Sequence, residues 1–242
     1  MTVNERRTVI LLVVIALCLP ALSLTLAQTE VECDDIAPPD VGATYYIGQG
    51  NAYFSQGNYP LAVIAYTCGI EANPDYAPAY VNRGYAYAAQ RDDPSALADY
   101  NRALELDEAN VPAYNNRGML YTSQGNFGLA ITDFTLALAL DPDYAIAYHN
   151  RAVVHAAEGN YDLAIADLQQ AIALDPDYAA PHATLGAVYL AMAAASYQDY
   201  RDLAGTTAAI PNGSANAMLT AVDDSIETGN FSAWLAFLTP AQ

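Results

Sequence analysis

The chain has 242 residues, 54% hydrophobic and 14% charged, which supplies a buried core and excludes an intrinsically disordered chain. Twenty-seven Asp and Glu stand against eight basic residues, all of them Arg, for a formal net charge of −19. A body this negative repels phosphate backbones and anionic headgroups, which excludes nucleic acid as a partner. The first element in chain order is an address. Asn4-Glu5-Arg6-Arg7 forms a short positive region, an apolar run extends from Thr8 to about Ala27, and Thr25-Leu26-Ala27 offers a small-x-small cleavage site. Residues 1–27 therefore read as a signal peptide or as an uncleaved N-terminal anchor, since about 20 apolar residues span a bilayer. Leu17, bulky where a lipoprotein signal wants a small residue, argues against cleavage before Cys18. Both readings place the body outside the cytoplasm: periplasmic, extracellular or outward-facing and membrane-anchored. Contact with a membrane is expected only through this segment, if it is uncleaved.

Residues 28–42 form an N-terminal extension with a turn at Pro38-Pro39. Beyond the leader only Cys33 and Cys68 remain, an even pair in an oxidising compartment. A disulfide between them would pin the extension to the body. The alternative is two free thiols, with Cys68 filling a helix surface.

The body is periodic. Tyr46, Tyr80, Tyr114 and Tyr148 are 34 residues apart, as are Ala62, Ala96, Ala130 and Ala164. The blocks are 43–76, 77–110, 111–144 and 145–178, with a partial fifth over 179–195. Each block predicts two antiparallel helices. In the third, Tyr114, Gly118 and Tyr121 share one face of helix A, and Gly125-Asn126 ends it. Ala130, Phe134 and Ala137 share one face of helix B, and Asp141-Pro142-Asp143 stops it with carboxylates placed to cap the next helix. One such pair cannot bury its apolar face alone, so neighbouring pairs must stack. Residues 196–242 predict a degenerate helix B over 196–204, a loop at Ile210-Pro211-Asn212-Gly213, and a helix from Ser214 to about Thr228. Phe231, Trp234, Leu235 and Leu238 form a final apolar patch, a cap for the array or a docking surface.

The pattern of an aromatic, a small residue four later and a second aromatic in helix A, then small, aromatic, small and Pro, resembles the tetratricopeptide repeat family. The first block supplies Tyr46, Gly50, Tyr53, Ala62, Tyr66, Gly69 and Pro74; the third supplies Tyr114, Gly118, Tyr121, Ala130, Phe134, Ala137 and Pro142. The second block has Glu108 in place of Pro, and the fourth departs most, with Ala152, His155 and Leu168. The resemblance spans about residues 43–190. It implies an all-α right-handed superhelical solenoid with four clear repeats, a degenerate fifth and a C-terminal helical cap. It also implies a non-catalytic protein–protein interaction scaffold that binds an extended peptide or protein in a concave groove.

Asn82-Arg83-Gly84, Asn116-Arg117-Gly118 and Asn150-Arg151-Ala152 recur in the middle blocks. Wherever Arg stands there, Asp follows sixteen residues later, at Asp99, Asp133 and Asp167; the first block has Gln49 and Ala65 and so lacks both. This joint presence and absence predicts a structural ion pair within each block. The family resemblance places Asn82, Asn116 and Asn150 in the groove as a ladder for a peptide backbone, for which an amide supplies both donors and an acceptor. The alternative is that these amides bond the neighbouring repeat's backbone. Other groove positions implied by the resemblance are Asn51, Val81, Tyr85, Asn115, Met119, His149 and Val153. They are uncharged, so the expected ligand is not strongly acidic.

Of the remaining His residues, His155 and His182 stand at aromatic positions of the repeat and read as core. His149 and His155, six apart, fall on different helix faces, so no metal-ligand pair is expected, nor any cofactor or catalytic residue. The rival reading of the whole chain is a self-associating structural component of the cell envelope, held through an uncleaved N-terminal segment or through the end patch.

Overall fold

The computed structural model describes residues 32–36 and 41–204. The leader, the Pro38-Pro39 turn, the predicted elements beyond residue 204 and the patch at Phe231–Leu238 lie outside the described residues. Among the described residues the structure is all-α, in ten helices. These are α1 (Cys33–Ile36), α2 (Ala43–Ser55), α3 (Tyr59–Ala72), α4 (Ala77–Ala89), α5 (Asp93–Leu106), α6 (Val111–Ser123), α7 (Phe127–Leu140), α8 (Ala145–Ala157), α9 (Tyr161–Leu174) and α10 (Ala179–Ala204). No described helix is long and apolar enough to cross a membrane. The chain divides into two compact units between Tyr178 and Ala179.

In the first unit α2 packs on α3, α4 on α5, α6 on α7 and α8 on α9, and each pair packs on the next. The turn inside each pair needs one residue with positive φ. Gly57, Gly125 and Gly159 supply it at 75°, 73° and 78°, where a side chain would be strained. In the second pair Arg91 does so at 63°. Helix starts are fixed by Asn58 and Asp92, whose side chains accept from the amides of Leu61 and Ser95 at 3.3 Å.

The turns between pairs differ from the sequence expectation. Asp141 Oδ1 accepts from the Asp143 amide at 3.1 Å, and Asn73, Asp107 and Asp175 do the same for Asp75, Ala109 and Asp177. These side chains therefore close a tight Asx turn, and the starts of α4 and α8 carry no side-chain cap. The short reach of Asp and Asn favours an amide two residues on.

Within each pair the helices touch where one side chain is missing. A Cβ on Gly84 would stand 2.8 Å from the Tyr100 ring, and one on Gly118 would stand 2.7 Å from that of Phe134. The fourth pair reaches the same fit with Ala152 against the smaller Leu168, both fully buried. Ala62, Ala96, Ala130 and Ala164 are likewise fully buried and complete the seam.

At the N-terminus Ile36 of α1 is buried with Tyr46, Ile64, Ala65 and Cys68. The structure brings Cys33 beside Cys68 in the geometry of a disulfide, with Cα atoms 5.6 Å apart.

The second unit corrects one expectation. Ala179–Ala204 is a single helix of 26 residues, without a turn before residue 196. The stretch Leu190-Ala191-Met192-Ala193-Ala194-Ala195 contains good helix formers and no Gly-Asn pair, so nothing interrupts the backbone hydrogen bonds.

Candidate binding face on α2, α4, α6 and α8

The three Arg residues build the frame behind the face. Arg83 pairs with Asp99 through two hydrogen bonds of 2.8 and 2.7 Å, Arg117 with Asp133 at 2.7 and 2.8 Å, and Arg151 with Asp167 at 2.7 and 2.8 Å. The carboxylates are buried, Asp133 at 3% exposure, and this fork geometry is the strong form of the interaction. Sequence reasoning missed the third donor. Nη1 of each Arg reaches the preceding pair: Thr67 Oγ1 at 3.1 Å, Asn101 Oδ1 at 2.6 Å and Thr135 Oγ1 at 3.1 Å. Each guanidinium thus ties its own two helices to the helix B before it. Burial opposes the charge of Arg83, but Asp99 outweighs it and holds the guanidinium above its ordinary range. The first pair has no preceding repeat; there Ala65 and Cys68 pack against Ile36 instead.

In front of this frame, Asn51, Tyr85, Met119 and Val153 recur at 34-residue spacing on α2, α4, α6 and α8, and all are exposed. Tyr85 is 46% exposed, Met119 43% and Val153 37%, so three successive repeats present a large apolar group at the same register. Tyr85 stacks on Phe54, ring centroids 4.9 Å apart and 26° from parallel.

The amides form two short hydrogen-bonded groups. Asn82 Nδ2 donates to Asn51 Oδ1 at 3.4 Å, and the Tyr66 hydroxyl donates to the same oxygen at 2.8 Å. Burial pushes Tyr66 up to about 12, so it remains a donor at neutral pH. On the next helices Asn150 Nδ2 donates to Asn115 Oδ1 at 2.9 Å, and Asn115 Nδ2 donates to Asn116 Oδ1 at 3.3 Å. Asn82, Asn116 and Asn150 thus each bond a side-chain amide of Asn51 or Asn115.

Three expected groove residues are placed differently. Val81 is 6% exposed and packs among Tyr80, Ala103, Leu104 and Ala113. Asn115 is 2% exposed, enclosed between α6 and α8. His149 is half-buried, its ring 3.2 Å from the Tyr178 hydroxyl, and burial lowers its pKa. Their register is that of Ile47, also buried, and it points to the next helix pair. The apolar Ile47 and Val81 at that register were the available signal. His155 lies inside the repeat, its Nδ1 buried without a hydrogen-bond partner. His182, expected in the core, is exposed on α10, where the aromatic pattern of the repeats no longer continues.

A pocket of about 160 Å³ opens between α4 and α6, lined by Tyr85, Ala88, Tyr100, Asn116, Met119 and Leu120, with the charged Arg91 and Asp93 and the hydroxyl of Ser123 also at its wall. Sequence reasoning missed Ala88, Arg91, Tyr100 and Leu120. No cluster of His, Cys, Asp and Glu among the described residues has a metal-binding arrangement.

Models of the tetratricopeptide repeat match residues 47–111 and 111–144, and a TPR repeat model matches 154–192. The crystal structure of MamA is similar, with 23% sequence identity and a TM-score of 0.52 over 60% of this chain and 84% of that one. YrrB, described as a TPR protein with an unusual peptide-binding site, is 28% identical, with a TM-score of 0.50 over 59% of this chain and 74% of that one. No curated protein matches the chain.

Proposed function

The chain belongs to the tetratricopeptide repeat family, and from that premise we propose that it is an exported, non-catalytic scaffold that binds an extended peptide or protein segment across α2, α4, α6 and α8. One observation carries the reading: Tyr85, Met119 and Val153 stand exposed in register beside the half-buried amides of Asn82, Asn116 and Asn150. Apolar groups supply contact area and amides supply donors and acceptors for a main chain, so an extended segment meets both at once. The face is preformed, because the Arg–Asp pairs behind it hold the helices, and little free energy goes into ordering the receptor. The peptide-binding site described for YrrB supports this reading.

The test is capture from envelope extract on the immobilised full chain, alongside Asn82→Ala/Asn116→Ala/Asn150→Ala. A partner retained by the first and lost by the second, with helicity unchanged, supports the face. Equal retention removes the amides from the mechanism. Export is tested by cell fractionation with N-terminal sequencing of the isolated protein, where recovery in the cytosol with an intact Met1 counts against it. The Cys33–Cys68 bond belongs to the same proposal: the unreduced protein is expected to show neither thiol on titration.

A further inference from the structure

The repeats permit a comparison that the face itself does not. At the junction of α2 and α4 the Phe54 ring stacks on Tyr85 at 4.9 Å. One repeat on, at the junction of α4 and α6, the corresponding residues are Ala88 and Met119, each 34 positions later. Both line the pocket of about 160 Å³. The second junction therefore lacks the ring that the first one has, and the space remains. Its volume of about 160 Å³ is close to that of an enclosed apolar cavity, about 150 Å³, that takes up benzene, although this pocket is open to solvent on one side. Its exposed walls suit a ring: Tyr85 offers aromatic surface and Met119 a thioether, which favours contact with aromatic edges, while Tyr100, 1% exposed, closes the space from behind.

Arg91 adds an independent observation. It holds φ at 63° where its three counterparts are Gly, a conformation that costs backbone energy for any residue with a Cβ. Its guanidinium makes no hydrogen bond or ion pair with a described residue, whereas Arg83, Arg102, Arg117 and Arg151 all do. Asp93 lines the same pocket but is engaged by Gln124 Nε2 at 3.3 Å, which leaves the Arg91 guanidinium able to lie over a ring face.

We propose that the pocket between α4 and α6 receives an aromatic side chain of the bound peptide, set against Tyr85 and Met119 with Arg91 over it, while Asn116 meets the adjoining main chain. This rests on the peptide-binding reading above and names the residue class that anchors the ligand.

The probe is N-acetyl-phenylalanine amide, titrated into the full chain with the methionine ε-methyl groups labelled with ¹³C. The Met119 methyl is expected to move upfield saturably, with an affinity about fivefold above that for N-acetyl-leucine amide, a typical aromatic preference. Ala88→Phe places the chain's own ring in the pocket, as Phe54 does one repeat earlier, and weakens the probe at least about tenfold, the equivalent of losing one buried ring. Arg91→Gly weakens it about two- to fivefold, the size of an exposed cation–π contact. An unmoved Met119 methyl, or equal affinity for the leucine analogue, overturns the assignment without any variant. Toluene binding as tightly as the amide assigns the pocket to a free small aromatic and overturns the peptide anchor. A captured partner lost by the triple Asn variant but kept by Ala88→Phe sinks this inference and leaves the binding face standing.

Discussion

Arg117 shows how one side chain can serve three helices. It grips Asp133 of its own pair with two hydrogen bonds and Asn101 of the preceding pair with a third. Arg117→Ala leaves Asp133, 3% exposed, as an uncompensated buried charge and should cost about 3–5 kcal/mol in urea unfolding. Arg117→Met/Asp133→Leu should recover most of that loss, because an apolar pair of similar volume pays no desolvation cost. Equal instability of the single and double variants would show that the guanidinium matters through Asn101 instead. His149 supplies the pH dependence at this scale. Burial lowers its folded pKa, so between that value and the ordinary histidine range the unfolded chain binds more protons. Its stability contribution is full above about pH 6.5 and declines as pH falls through the window beneath that. Denaturation midpoints at pH 7.5 and 5 should therefore differ less in His149→Gln than in the native chain. The Arg–Asp association was legible at this scale, because presence and absence in four copies behave like an alignment inside one chain. The bond to Asn101 was not, since Thr67, Asn101 and Thr135 share no single side-chain type.

The first three helix pairs each close on a gap that a glycine leaves for an aromatic ring. Gly118→Ala gains about 1 kcal/mol of helix propensity but drives a Cβ to 2.7 Å from the Phe134 ring, an overpacking that costs about 1–3 kcal/mol. The clash wins or nearly cancels the gain, so the expected result is a net loss of about 0–2 kcal/mol. Combining it with Phe134→Leu copies the Ala152–Leu168 fit of the fourth pair, and the double variant should be more stable than Phe134→Leu alone. A thermal-melt double-mutant cycle with no coupling would refute this account of the seam. At the scale of elements the sequence spelled out most of the structure: helix pairs, their small-residue seams and the Gly turns. The exceptions have local causes. Asp141 and its counterparts turn their own backbone instead of capping α8, and α10 runs on because nothing in 190–195 ends it.

For the molecule as a whole, an array of stacked pairs has an exposed first face, and α1 covers it. Ile36 packs against Ala65 and Cys68, whose counterparts one and two repeats on are the ion-paired Asp99 and Asp133 and the more exposed Arg102 and Leu136, and the Cys33–Cys68 link spans 35 residues. Reducing it should lower stability by roughly 3–4 kcal/mol, the chain-entropy scale for a loop of that length, and Cys33→Ser should match the reduced native chain. Unchanged melting on reduction would mean that Ile36 alone holds α1. The −19 net charge adds mutual repulsion between molecules at low salt, which works against the self-associating reading. The exposed Leu129, Leu136 and Leu140 of α7 work for it.

By itself the sequence determined the repeat, its period, the two-helix unit and the pairing of Arg with Asp, because each of these depends on residues at fixed spacing within one or two helices. The tertiary structure decided which neighbours of the groove positions face solvent. Val81 and Asn115 stand one residue from Asn82 and Asn116, a rotation of about 100° around a helix, and only the packing of the next pair shows that this rotation buries them. It also decided the pocket. An alanine reads the same in any sequence, and the space beside Ala88 exists only because α4, α5 and α6 surround it without filling it.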